Sequence, residues 1–135
     1  MKLGATLYVK NSIEAVELYK KAFGLTLGSD NISPVKNPDG TYLHAPLFKN
    51  GREIFDVSEG ARGNKLAKLM LAEGQRPVMT YGINFTTEDE VKNAFYLLSQ
   101  SGRVASAIKS EPWSACSGEV VDKFGVYWYL CLMKD

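Results

Sequence analysis

The sequence predicts an α+β fold made of two β-α-β-β-β modules. Three observations carry that prediction. Asn11 and Thr87 each stand where a helix N-cap belongs, with a glutamate three residues on, Glu14 and Glu90. Behind each cap runs an apolar stripe at helical spacing. In the first half it is Ala15, Leu18, Tyr19, Ala22 and Phe23; in the second it is Val91, Ala94, Phe95 and Leu98. A glycine, Gly24 or Gly102, ends each stripe. The two halves therefore match position by position, which is the mark of an internal repeat.

Taken in order, Leu3 to Val9 is short and apolar and predicts a first strand. A helix follows over 12–23. Leu25 to Ile32 predicts a strand, and Ser33 to Gly40, with Pro34, Pro38 and Asp39-Gly40, a loop. Thr41 to Phe48 and Glu53 to Ser58 predict strands joined at Asn50-Gly51, a pair suited to a two-residue type I′ turn. Residues 60–77 form a connector between modules about 1–59 and 78–135. Leu66, Ala67, Leu69, Met70 and Leu71 give it a short amphipathic helix, and it would serve as a linker or a lid. Val78 to Phe85 predicts a strand, 88–101 a helix, and Arg103 to Lys109 a strand. Trp113 to Val121 and Val126 to Met133 make a closing hairpin. A sheet with one helix leaves its other face bare, so two modules are expected to form one domain, 1–135, around a shared cavity.

The closing turn, Asp122-Lys123-Phe124-Gly125, admits two registers. A two-residue loop would set Cys116 opposite Cys131, with Cα atoms about 4.5–5.5 Å apart and within disulfide range. A three-residue loop with Gly125 at positive φ sets Cys116 opposite Leu132 and turns the two thiols to opposite faces. Lys123 and Phe124 resist positive φ and Gly125 does not. The expectation is the bulged register with two free thiols.

The bulk composition excludes several classes. With 45% apolar and 23% charged residues in 135, the chain is ordinary for a globular protein. A net charge of +1 with scattered Lys and Arg gives no reason to expect nucleic acid or an anionic membrane as partner. No apolar run reaches the ~18 residues of a membrane span, and Met1-Lys2-Leu3-Gly4 does not open like a signal peptide. Two widely spaced cysteines make neither a disulfide framework nor a zinc pattern, so the expected location is the cytoplasm.

The paired β-α-β-β-β plan resembles the vicinal oxygen chelate superfamily, which includes glyoxalase I, bleomycin-resistance proteins and extradiol dioxygenases. The local motifs are similar to its PhnB-like branch: Leu7-Tyr8-Val9, Leu18-Tyr19, Ala22-Phe23-Gly24, Tyr42-Leu43-His44-Ala45, and Asp122 to Trp128. Members of that branch often carry the label of a demethylubiquinone methyltransferase. No Gly-rich loop follows the first strand here to hold a nucleotide-like methyl donor. The resemblance implies a homodimer, which would also cover long apolar strand edges.

Metal-using relatives bind a divalent ion through two His and two Glu. Carried onto this chain, the ligand positions fall on Gly4, Thr80 and Tyr129, and near Asp56. Three of the four cannot act as the usual ligands, and the chain has one His, so no family-type metal and no cofactor is expected.

His44 is the natural neutral-pH proton donor or acceptor. Strand alternation groups it with Tyr42, Pro46 and Phe48, away from Leu43, Ala45 and Leu47. Where the PhnB-like branch often has Glu two residues after this His, here stands Pro46, which removes a second acid. Asp56 and Glu53 lie on the adjacent strand. Trp113, Trp128, Tyr81, Tyr127 and Tyr129 would wall a flat apolar ligand, and Arg76 and Arg103 would hold an anion. The candidate ligand-binding set is His44, Asp56, Tyr81, Trp113, Trp128 and Tyr129. Two classes stay open. One is a protein that binds a small organic molecule in a mainly aromatic, metal-free cavity. The other is a lyase, isomerase or dioxygenase-like enzyme using His44 or an atypical metal site.

Overall fold

The computed structural model describes residues 1–60 and 75–134. The chain divides into two compact units, Met1–Asn64 and Lys65–Asp135. The helix expected over 66–71, and the reading of the connector as a lid, fall outside the described residues.

The first unit runs β1 (Thr6–Val9), α1 (Ser12–Phe23), β2 (Thr26–Leu27), β3 (Val35–Lys36), β4 (Tyr42–Lys49) and β5 (Arg52–Glu59). Its sheet has the order β1-β5-β4-β2, with β3 pairing the same β4, and β1 lies parallel to β5. The strand expected over 25–32 is interrupted. At Gly28, φ is 74°, its N–H donates to the Pro46 carbonyl at 2.8 Å, and Ser29 and Ile32 close a small loop on each other. The chain then rejoins β4 as β3, so β2 and β3 act together as one broken strand. The Asn50-Gly51 turn has φ of 52° and 74°, both positive as a type I′ turn requires.

The second unit runs β6 (Tyr81–Phe85), α2 (Glu88–Ser99), β7 (Arg103–Glu111), β8 (Ser114–Val121) and β9 (Tyr127–Leu132). Its sheet has the order β6-β9-β8-β7, again with the first strand parallel to the last. The mixed α+β architecture with paired β-α-β-β-β units is therefore present. Among the described residues no helix is long and apolar enough to cross a membrane.

Each helix buries most of its predicted stripe, with Leu18 and Phe95 only partly covered. Ala15, Val16 and Tyr19 of α1 and Val91, Ala94 and Leu98 of α2 are fully buried. Phe55 of β5 meets the rings of Tyr19 and Phe23 edge-on, with centroids 5.7 and 6.1 Å apart. Since Ala45 pairs with Val57 and Leu47 with Phe55, these four form the helix-covered face of the first sheet.

The two caps differ. Thr87 behaves as expected: its hydroxyl accepts from the Glu90 N–H at 3.2 Å and donates to the Glu90 carboxylate at 2.9 Å. Asn11 does not cap with its side chain. It sits in the left-handed region at φ 71° and spends its amide on Glu14 Oε2. Glu59, at the end of β5, takes over, accepting the N–H groups of Asn11 at 2.7 Å and Ser12 at 2.8 Å. A carboxylate there satisfies two orphan donors and the positive helix end together.

Candidate functional site

The helix-free face of the first sheet carries the chain's histidine. Pro46 pairs with Asp56, so both face away from α1, together with His44 two residues earlier. Plain alternation would send Glu53 to the opposite face from Asp56. A β-bulge prevents this. Leu47 pairs with Phe55 but Phe48 pairs with Glu53, leaving Ile54 as the extra residue. The bulge returns Glu53 to the face of His44 and Asp56. One ligand-capable atom from each of these three residues lies within 4.8 Å of the others.

His44 Nδ1 stands 3.6 Å from Asp56 Oδ1, with the imidazole about half exposed and the carboxylate largely buried. Asp56 Oδ2 accepts from Thr6 Oγ1 at 3.2 Å. Asp56 Oδ1 is itself buried and accepts no hydrogen bond from the described residues.

The second unit builds a different surface. Val120 pairs with Trp128 and Gly118 with Leu130, and a Cβ on Gly118 would press on the Phe95 ring, so this is the α2 side. Tyr81 pairs with Trp128, and their rings meet edge-on with centroids 5.5 Å apart. Trp128 is fully buried. Its indole N–H donates to Asp122 at 2.8 Å. Tyr81 is half-buried, and burial raises its hydroxyl pKa.

Glu119 pairs with Tyr129 on the opposite face. Glu119 is 3% exposed, yet it accepts two bonds from Arg76, Nε and Nη2 each at 2.8 Å, and one from the Tyr127 hydroxyl at 3.1 Å. The guanidinium holds the Glu119 carboxyl below the usual range against the opposing pull of burial, and the pair raises the Arg76 pKa in return. Burial, then the Glu119 carboxylate, raises the pKa of Tyr127. Beside them Trp113, 55% exposed, donates its indole N–H to the Tyr129 hydroxyl. Arg103 lines a small pocket with Ser101, Gly102, Val121 and Asp122.

Within each unit the expected ligand residues fall into pairs. His44 and Asp56 come together in the first unit, where the bulge adds Glu53. Trp113 and Tyr129 come together on the helix-free face of the second. Tyr81 and Trp128 lie on the α2 side of that sheet. Glu119 escaped the sequence reading although the bulged register, which sets Cys116 opposite Leu132, sets it opposite Tyr129 as well. The ion implied by the resemblance does not fit the residues at its positions. Gly4 is an exposed glycine with open space around it, and the Tyr129 hydroxyl is engaged by Trp113.

No family model matches the sequence, and no curated protein matches it. Solved structures do. A PhnB protein from Bacillus cereus is 25% identical with a TM-score of 0.73, covering 98% of this chain and 99% of its own. A Pseudomonas aeruginosa protein is 21% identical at the same TM-score of 0.73, covering 100% and 99%. A glyoxalase-related enzyme from Fulvimarina pelagi is 18% identical with a TM-score of 0.61, covering 98% and 88%. The last two show the shared fold; the near-complete match to the PhnB protein, and the doubled β-α-β-β-β unit that produces it, place this chain in the glyoxalase-type vicinal oxygen chelate superfamily, on its PhnB-like branch.

Proposed function

We propose that the chain binds a small organic molecule on the helix-free face of its second unit, without an ion held by the family's set of two His and two Glu. The observation that supports this reading is the Trp113–Tyr129 hydrogen bond. An indole 55% exposed is ordinarily loose. Here its N–H is committed, so the ring is held with apolar surface toward solvent. Aromatic surface with a few fixed polar groups is the usual make-up of a small-molecule site. Glu119 and Arg76 lie on the same face as an ion pair that would orient polar groups of the ligand. Tyr81 and Trp128 would support β6 and β9 from behind.

Tryptophan emission tests the reading, since Trp113 is exposed and Trp128 is buried. A panel of flat aromatic compounds should include one that shields Trp113 from acrylamide, and Trp113→Phe should weaken its binding at least tenfold by calorimetry. A panel without any such compound, or equal binding by the variant, would overturn it.

A second reading rests on the His44–Asp56 approach of 3.6 Å. A carboxylate beside an imidazole fixes its orientation for proton transfer, as a lyase or isomerase would need. There His44→Ala would abolish turnover and leave Trp113 shielding intact.

With the small-molecule reading we also propose that the chain is a cytoplasmic homodimer. β7 is a nine-residue edge strand, and both cysteines are free and buried. A monomeric mass by sedimentation at micromolar concentration would refute the dimer.

A further inference from the structure

The geometry points to a divalent-cation site built by the β4–β5 hairpin of the first unit alone, from His44, Glu53 and Asp56. It goes beyond the ligand reading of the second unit and does not rest on it. It also differs from the family-type ion, whose other ligand positions here hold Gly4, Thr80 and Tyr129.

Two features converge, a cluster of donors that a bulge assembles and a buried oxygen within it. The donor atoms of one imidazole and two carboxylates lie within 4.8 Å of one another. Zinc or manganese at about 2.0–2.2 Å from each donor needs donor–donor separations of about 3–3.5 Å, a contraction that rotation of the exposed Glu53 and half-exposed His44 side chains would supply. The Ile54 bulge is what brings Glu53 onto this face at all. Asp56 then supplies the signal that points to a ligand. Its Oδ2 is oriented by Thr6, while its Oδ1 is buried, faces His44 Nδ1 and accepts no hydrogen bond from the described residues. His44 Nδ1 stands 3.6 Å from it, beyond hydrogen-bond range; a buried carboxylate oxygen without a hydrogen bond is costly, and a cation held by both groups would satisfy it.

Charge and ligand type set the class of ion. Two carboxylates and a neutral imidazole present two negative charges, which a dication balances. A nitrogen with two oxygens suits first-row ions such as manganese or zinc better than calcium, which takes six to eight oxygens. Three protein ligands leave coordination positions for water or a chelating ligand.

Manganese and zinc alone are the probes. Titrated manganese should lose its free-ion resonance spectrum at one equivalent per chain, and calorimetry with zinc should give the same stoichiometry. His44→Ala and Glu53→Gln, both on exposed or half-exposed side chains, should each weaken binding at least tenfold, and Asp56→Asn likewise. Glu14→Gln, on α1, should leave it unchanged. Zinc should raise the melting temperature of the unaltered protein and of Glu14→Gln, but not of the ligand variants, with far-UV spectra reporting that each variant folds. Binding well below one equivalent, or affinity unchanged in both His44→Ala and Glu53→Gln, would overturn the site.

Discussion

The indole N–H of Trp128 donates to Asp122 Oδ2 at 2.8 Å, and both residues are wholly buried. The other oxygen of Asp122 accepts the backbone N–H groups of Phe124 at 2.9 Å and Val126 at 3.0 Å. One carboxylate therefore holds the turn between β8 and β9 and anchors the largest fully buried side chain among the described residues. Asp122→Ala removes the acceptor of all three bonds. At about 1–3 kcal/mol for each buried donor stripped of its partner, the expected loss is at least about 3 kcal/mol by urea denaturation. A loss below about 1 kcal/mol would show that the hairpin does not depend on Asp122.

Glu119 predicts a specific pH dependence. Its folded pKa lies below its unfolded value, chiefly through the Arg76 hydrogen bonds. Its stabilising contribution is therefore complete above the unfolded range, about 4.3, and is lost as pH falls through the lower folded value. Arg76→Ala removes the largest cause of the lowering and leaves burial, which acts in the opposite direction, against the weaker pull of the Tyr127 hydrogen bond and Lys109. The variant should be less stable at neutral pH, its acid transition should move to higher pH, and the two stability curves should converge as the solution is acidified. Urea midpoints that differ by a constant amount at every pH would contradict this.

The two helix-ending glycines should respond differently to alanine. Gly24 adopts φ 62° as the C-cap of α1, where a Cβ would meet only the flexible end of Lys49. After α2 it is Ser101 that takes positive φ, at 55°. Gly102 instead lies where a Cβ would fall 2.4 Å from the Val121 carbonyl oxygen. Backbone cannot yield as a lysine tail does. Gly24→Ala should cost about 1 kcal/mol, the left-handed penalty. Gly102→Ala should cost about 3 kcal/mol or more, as overpacking against rigid atoms does. Thermal melts of both variants would decide, and equal costs would refute the distinction.

Cys116 and Cys131 should both titrate as free thiols in denatured, unreduced protein. Ser117 pairs with Cys131, and Gly125 has φ 93°, which is the bulged register with Cys116 opposite Leu132. In the folded protein Cys116 should react slowly, because burial raises its thiol pKa and shields it. Finding no reactive thiol after denaturation would mean that the register of β8 and β9 is wrong.

Local signals in the sequence were enough for the order of helices and strands, though not for the break at Gly28 in the strand expected over 25–32. Each helix was legible from its apolar stripe, and the β4–β5 turn from Asn50-Gly51. The register of the last hairpin was legible from the backbone freedom of Gly125, and with it the pairing of Glu119 and Tyr129. These features depend on residues close together in the chain, so local side-chain and backbone preferences fix them. Tertiary structure decided the rest. Glu59 rather than Asn11 caps α1 from 47 and 48 residues away, and Arg76 reaches Glu119 across 43. The Ile54 bulge, which no turn residue announces, moves Glu53 to the side of His44 and Asp56. Such partners are chosen by which strands lie side by side and which face each one presents. That depends on how the whole chain buries its apolar surface, and no short stretch of it carries the information.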